Sequence, residues 1–204
     1  MLKRAAAAGA VATVPSHVLA QTTSAEPYLN LTATQAATLE AFVGRLIPSD
    51  ATGSGALEAG AARYIDGALG SARAGSRDAY VTGLAALDTY AERTAGQPFA
   101  ALGPDIQDAL LAELERNRVT GFTPDSLTFF NLVLGHTLEG TFGDPHYGGN
   151  QNFVGWELLG YPGIRLAVAP EEQRMEASLE LTRVSAYDLP MFDAGADSGA
   201  HDDH

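Results

Sequence analysis

Apolar residues recur along this chain at helical spacing and almost nowhere at strand spacing. Across residues 31–48, "LTATQAATLEAFVGRLIP", Leu39, Phe42, Val43, Leu46 and Ile47 follow i, i+3, i+4, i+7 and i+8. That period predicts an amphipathic helix ended by Pro48, and Thr32 and Gln35 stand before it at capping-box spacing. A loop, "SDATGSG", separates it from a second helix over 56–69, with Leu57, Ala61, Tyr64, Ile65 and Ala68 on one face. Ser76 is placed to cap a third, with Tyr80, Leu84, Leu87 and Ala91 turned inward. Pro104 suits the first turn of a fourth, striped by Ile106, Leu110 and Leu114, with Arg116 and Arg118 at its electronegative end.

The fifth segment differs in kind. After Thr123 and Pro124, read as cap and first turn, "SLTFFNLVLGHTLEGTF" is apolar nearly all round from Leu127 to Leu134. A helix apolar on every face is expected to be buried on every face, which makes this the central helix. Its last turn delivers His136 and Glu139 to a glycine-rich stretch, "GDPHYGGNQNFVGW". A short sixth helix is expected over 171–183. The fold class is therefore all-α: a single helical bundle of about five to six helices, with a glycine-rich aromatic loop and an extended C-terminal arm over 185–192. The last twelve residues, "DAGADSGAHDDH", are acidic and lack the apolar content to fold.

Composition narrows the possibilities. A chain of 204 residues suits one domain with a single core, and much of its 46% apolar content is alanine, which favours helix. With 12 basic against 25 acidic residues the net charge is −13, a poor match to nucleic acid and to anionic lipid headgroups. The absence of cysteine excludes disulfides, thiolate metal sites and an ordinary iron–sulfur cluster. No later stretch is apolar enough to span a membrane. The start, "MLKRAAAAGAVATVPSHVLAQ", has a basic pair, a weakly apolar run and a small-residue ending at Ala20. It reads as an export signal, its alanine-and-glycine core resembling twin-arginine leaders. Only Lys3-Arg4 stands where two arginines would, which leaves a different route or a truncated start open. The expected organisation is thus 1–20 export signal, 21–30 linker, 31–192 helical domain and 193–204 acidic disordered tail, in a periplasmic protein.

Four readings of residues 136–163 compete. His136 and Glu139 lie at i, i+3 with His146 close behind, which suggests an independent metal-dependent enzyme. The His-x-x-Glu order is, however, reversed from di-iron bundles and occurs once. Glu139 and Asp144 offer a carboxylate pair for acid–base hydrolysis. "YGGN" suggests a phosphate cradle, but it lacks a flanking strand, and Asp144 and Glu157 would repel phosphate. The fourth reading is architectural. Gly148, Gly149 and Gly155 permit backbone angles closed to other residues, Pro145 restricts Asp144, and Asn150 can bond its own backbone in an Asx-turn. Tyr147, Phe153, Trp156 and Tyr161 are then aromatic groups of the kind that anchor interfaces, or that close the bottom of the core.

Residues 136–163, "HTLEGTFGDPHYGGNQNFVGWELLGYPG", resemble the signature of the gluconate 2-dehydrogenase subunit 3 family: His-Thr-x-Glu-Gly, Asp-Pro-x-Tyr-Gly-Gly-Asn, Gly-Trp and Gly-Tyr-Pro-Gly. Residues 31–69 are similar to the family's other recurrent block, a helix ending in Leu-Ile-Pro that leads through an acidic loop to a second helix. The resemblance implies a small, cofactor-free, non-catalytic subunit that binds, stabilises and escorts for export a flavoprotein of the glucose-methanol-choline type. That partner would hold FAD and oxidise a sugar or sugar acid, often passing electrons to a cytochrome c subunit. No catalytic, cofactor or metal residue is carried over to this chain. On this reading Tyr147, Asn150, Phe153, Trp156 and Tyr161 contact the partner or shape the contact, Gly148 and Gly149 set the turn, and His136, Glu139, Asp144 and Pro145 brace it. Tyr187 and Phe192, in the arm "SAYDLPMF", either lie on the partner or pack back on the bundle.

Overall fold

Among the residues described by the computed structural model, 27–177 and 179–192, six helices carry the fold and no strand is present. They are α1 (Ala33–Leu46), α2 (Ala61–Leu69), α3 (Arg77–Ala95), α4 (Pro104–Glu115), α5 (Ser126–Phe142) and α6 (Val154–Leu159). The expected export signal and acidic tail lie outside the described residues. The all-α expectation holds, and among the described residues no helix is long and apolar enough to cross a membrane.

The capping box of α1 forms as its sequence predicts: Thr32 Oγ1 accepts from Gln35 N at 3.3 Å and Gln35 Oε1 accepts from Thr32 N at 2.9 Å. Two orphan donors are satisfied, and Leu39, Phe42 and Val43 face inward without solvent exposure. Phe42 is the node of the core, its ring 5.8–6.3 Å from those of Phe99, Phe129 and Phe130. At Gly83 a Cβ would overlap the Phe129 ring, so glycine is what lets α3 close on α5.

Several helices depart from expectation for identifiable reasons. α2 begins at Ala61 rather than near residue 56, because Gly60 takes a left-handed conformation (φ 75°) and residues 56–60 form turns. Leu57 consequently leaves the buried face and stays 47% exposed. Ser76 precedes α3 but makes no side-chain cap. In α4 the buried stripe is Gln107, Leu110, Leu111 and Leu114, with Ile106 exposed. Gln107 enters because its amide donates to the Phe99 carbonyl at 2.9 Å, which removes the cost of burying it. The cap of α5 is Asp125, accepting from Thr128 N at 2.8 Å, rather than Thr123. α5 is also not buried all round: Thr128, Asn131, Gly135 and Leu138 form an exposed stripe opposite the contacts with α2 and α4. Finally, where the sequence predicts a helix over 171–183, residues 171–176 hold turns and 179–183 carry no helix, and the sixth helix is α6, inside the glycine-rich region.

A device with no sequence signature fixes the chain entering α1. Asp66, on α2 and 4% exposed, accepts the backbone N–H groups of Leu29 (2.7 Å), Asn30 (2.9 Å) and Leu31 (3.0 Å). The Asn30 amide returns the contact by donating to the Asp66 carbonyl at 2.7 Å. Charge-assisted bonds of this kind are worth more than neutral ones. Asp66→Ala is therefore expected to destabilise the protein by about 2–3 kcal/mol in urea denaturation. A loss below about 0.5 kcal/mol would show that this clamp contributes nothing beyond an ordinary surface position.

Candidate functional site: a hook at the end of α5

The last turn of α5 is the platform on which residues 143–163 fold. Gly143 ends the helix, its N–H still bonded to the Glu139 carbonyl at 2.9 Å. Asp144 then caps a 3-10 turn over Pro145–Tyr147 by accepting from His146 N at 2.9 Å, with the proline where no N–H is needed. Gly148 (φ 92°) reverses the chain, and Gly149 runs under α5 so closely that a Cβ would overlap the Gly140 carbonyl.

Asn150 locks this return. It has no solvent exposure, and its N–H donates to the Gly140 carbonyl at 2.7 Å. Its Nδ2 donates to the Gly143 carbonyl at 2.9 Å, and its Oδ1 accepts from Gly155 N at 2.8 Å. The side chain thus ties the end of α5 to the start of α6, and the expected Asx-turn to its own backbone is replaced by a bridge across two elements. Gln151 N adds a bond to the Ala59 carbonyl before α2 at 3.0 Å. Gly155 sits where any Cβ would overlap the Thr141 carbonyl, so α6 can lie directly on α5. Asn150, Asn152 and Phe153 all have positive φ (42°, 55° and 62°). For a phenylalanine that conformation is strained by about 1–3 kcal/mol and persists only where the surroundings dictate it.

The aromatic residues divide into two sets. Trp156 is 4% exposed and donates its indole N–H to the Phe142 carbonyl at 2.9 Å. Phe153 and Tyr161 pack against it at ring distances of 5.2 and 4.9 Å. Trp156 therefore shapes the surface from below. Tyr161 and Leu159 remain exposed at its edge, and with Phe142, Trp156 and Pro162 they line an open trough of about 550 Å³.

The second set joins the hook to the arm. Asp144 accepts from Ser185 Oγ at 2.6 Å and from Ala186 N at 2.9 Å. Partial burial pushes its carboxyl up, but these bonds and that from His146 N outweigh burial and hold it below the usual carboxylate range. Ser185 and Asp188 form a capping box around a 3-10 turn over Ala186–Asp188. The Tyr187 ring stacks on His146 at 3.8 Å, its hydroxyl shares a 2.5 Å hydrogen bond with that of Tyr147, and Phe192 packs beside it at 5.6 Å. Of the two expectations for the arm, the structure has it folded back on its own hook. Tyr147 and Phe192 nevertheless keep 60% and 51% of their surface exposed.

Two expected braces point elsewhere. His136 stacks on Tyr80 of α3 at 5.8 Å and shares a 3.0 Å hydrogen bond with its hydroxyl through Nδ1. Glu139 pairs with Arg73 at 2.6 Å and accepts from Tyr64 at 3.1 Å. These side chains join α5 to α2 and α3, and the hook is braced instead by backbone carbonyls of the last α5 turn. Asp144 and Pro145 do stand in the hook. Among the described residues no three histidine or acidic side chains converge as a metal would need. Ser185 and Asp188 escaped the sequence reading although "SAYD" carries a capping-box pattern.

Fold and site together define a small helical bundle whose one elaborated region is a glycine-built, aromatic-faced hook on its most apolar helix. The matching family model is that of gluconate 2-dehydrogenase subunit 3, over residues 33–163, more than half of the chain. The chain belongs to this family, and so to the subunits of a dehydrogenase complex. No curated protein and no solved structure matches it.

Removing the lock should show in stability. Asn150→Ala leaves the Gly143 carbonyl and Gly155 N–H without partners and is expected to cost about 2–4 kcal/mol in chemical denaturation. An unchanged midpoint would mean that the hook holds itself without this side chain. A second expectation concerns pH. Burial pushes the His136 imidazole below its ordinary 6.5; Glu139 pulls the other way and Arg73 adds to burial. The unfolded chain then takes up this proton more readily than the folded one. The contribution is complete above pH 6.5 and is lost as pH falls through the folded value. The urea midpoint should decline more steeply for the wild type than for His136→Gln between pH 6.5 and about 5, and parallel profiles would contradict this.

Proposed function

We propose that this chain is a non-catalytic small subunit that binds and stabilises the FAD-containing catalytic subunit of a sugar or sugar-acid dehydrogenase and escorts it to the periplasm. The catalytic partner expected is a flavoprotein of the glucose-methanol-choline type, with a cytochrome c subunit as a further member. Family membership supports the role of accessory subunit. The observation that carries the docking role is the division of labour in the hook. Asn150, Gly149, Gly155 and Trp156 are consumed by internal contacts, while Tyr147, Leu159, Tyr161 and Phe192 are held exposed on that rigid frame. A preorganised aromatic surface loses little entropy on binding, which is what an anchor needs. FAD and the oxidation belong to the partner on this reading, and specificity for substrate lies there as well.

Trp156→Ala is a poor test, because a core role would also weaken any complex. Leu159→Ala alters an exposed position and is expected to weaken the co-expressed complex about tenfold while leaving the thermal midpoint of the isolated chain unchanged. The isolated chain should show no flavin absorbance and no dye reduction. Turnover by the pure chain, or a stoichiometric metal lost on His136→Ala, would replace this reading with that of an independent enzyme. A wild-type chain that never co-purifies with a flavoprotein would remove the docking role.

A further inference from the structure

The hook and the arm enclose a second concavity, distinct from the trough beside Trp156. It has a volume of about 380 Å³, and Phe153, Tyr187 and Phe192 border it together with Pro145, His146 and Asp188. Three aromatic rings and one carboxylate therefore meet in one open basin. Asp188 spends Oδ2 on Ser185 N (2.9 Å), and no other hydrogen bond and no ion pair occupies its carboxylate among the described residues. The neighbouring acids differ: Asp144 is filled by three donors and Glu157 is paired with Arg183.

The hook itself carries no lysine or arginine. No lysine or arginine occurs between Arg118 and Arg165, and the one arginine near Phe153, Arg183, is held by Glu157. In a chain of net charge −13, the basin is thus an aromatic-walled cup bordered by a carboxylate and by no lysine or arginine, with His146 the one basic side chain on its wall. Rings around a carboxylate are the chemistry that receives a guanidinium: the ring faces attract the cation and the carboxylate oxygen accepts its N–H groups.

Resting on the docking role proposed above, we infer that the basin between hook and arm receives an arginine side chain of the catalytic partner. It supplies a charged, orientation-setting contact beside the apolar one at Trp156. Phe153 links the two concavities, since it borders the basin and packs on Trp156, which lines the trough. The family match ends at residue 163, whereas Tyr187, Asp188 and Phe192 lie beyond it. The arm therefore adds to the matched hook an element able to discriminate between partners.

The test is the affinity of the full chain for its co-expressed flavoprotein across a salt series. Asp188→Asn keeps an acceptor for Ser185 N, so the arm stays folded, yet it removes the charge. It is expected to weaken binding about tenfold and to flatten the salt dependence, and Asp188→Arg should weaken it further. Phe192→Ala should show a comparable loss. Wild-type affinity and salt dependence in Asp188→Asn and Asp188→Arg would overturn the inference. If Leu159→Ala still weakened the same complex, the docking role would stand without the cation contact. Asp188 variants that bind the flavoprotein normally but no longer bind free arginine amide would likewise overturn it, and would assign the basin to a small organic cation.

Discussion

One buried asparagine holds the distinctive part of this molecule together. Asn150 spends its backbone N–H on Gly140, its Nδ2 on Gly143 and its Oδ1 on Gly155, so α5, its C-terminal cap and α6 meet at one residue with no access to water. Such a group is costly to bury unless every bond is made. Here its amide is engaged at both ends, and the reward is geometric: the chain can leave α5, reverse and begin α6 within a dozen residues. The glycines are consequences of that closeness. Gly149 and Gly155 lie against carbonyls of α5 where no side chain fits.

Closeness in turn decides which aromatic residues remain available. Because α6 lies directly on the end of α5, Trp156 reaches the Phe142 carbonyl and becomes part of the interior. Tyr161 and Leu159 are lifted to the rim by the same packing. The strained Phe153 places its ring between the two concavities. An exposed apolar group on a mobile loop would lose entropy on binding, whereas these are fixed in advance by hydrogen bonds below them. The physical link from sequence to proposed role therefore runs through rigidity more than through hydrophobicity.

What was legible in the sequence is what depends on neighbours along the chain. The capping box of Thr32 and Gln35, the stripe of α1 and the inward face of α3 all follow from local spacing, and they form as read. The hook's glycines and aromatics were also visible, because few other segments need that composition. What escaped depends on partners far away. Gln107 displaces Ile106 from the buried stripe of α4 because the Phe99 carbonyl happens to face it. Asp66 looks like any helical acid until residues 29–31 are seen on it. His136 and Glu139 sit near the hook in sequence, yet α2, α3 and the turn between them supply better partners, Tyr64, Tyr80 and Arg73. The uniform apolarity of α5 overstated its burial: it packs against every other helix, yet one stripe remains exposed.

The arm shows how a small change in what a residue holds alters what a surface can do. Asp144 anchors it through Ser185 and Ala186, so its carboxylate is used up and offers nothing outward. The same anchoring brings Asp188 to the edge of the hook with one oxygen unspent, and sets Tyr187 and Phe192 as walls around it. One acid is thus converted into scaffold so that another can be displayed. On the proposed docking role, that arrangement separates two demands: an apolar contact strong enough to hold, and a charged contact selective enough to orient. Placing them side by side, with Phe153 between, lets the carboxylate stay wet until a cation arrives.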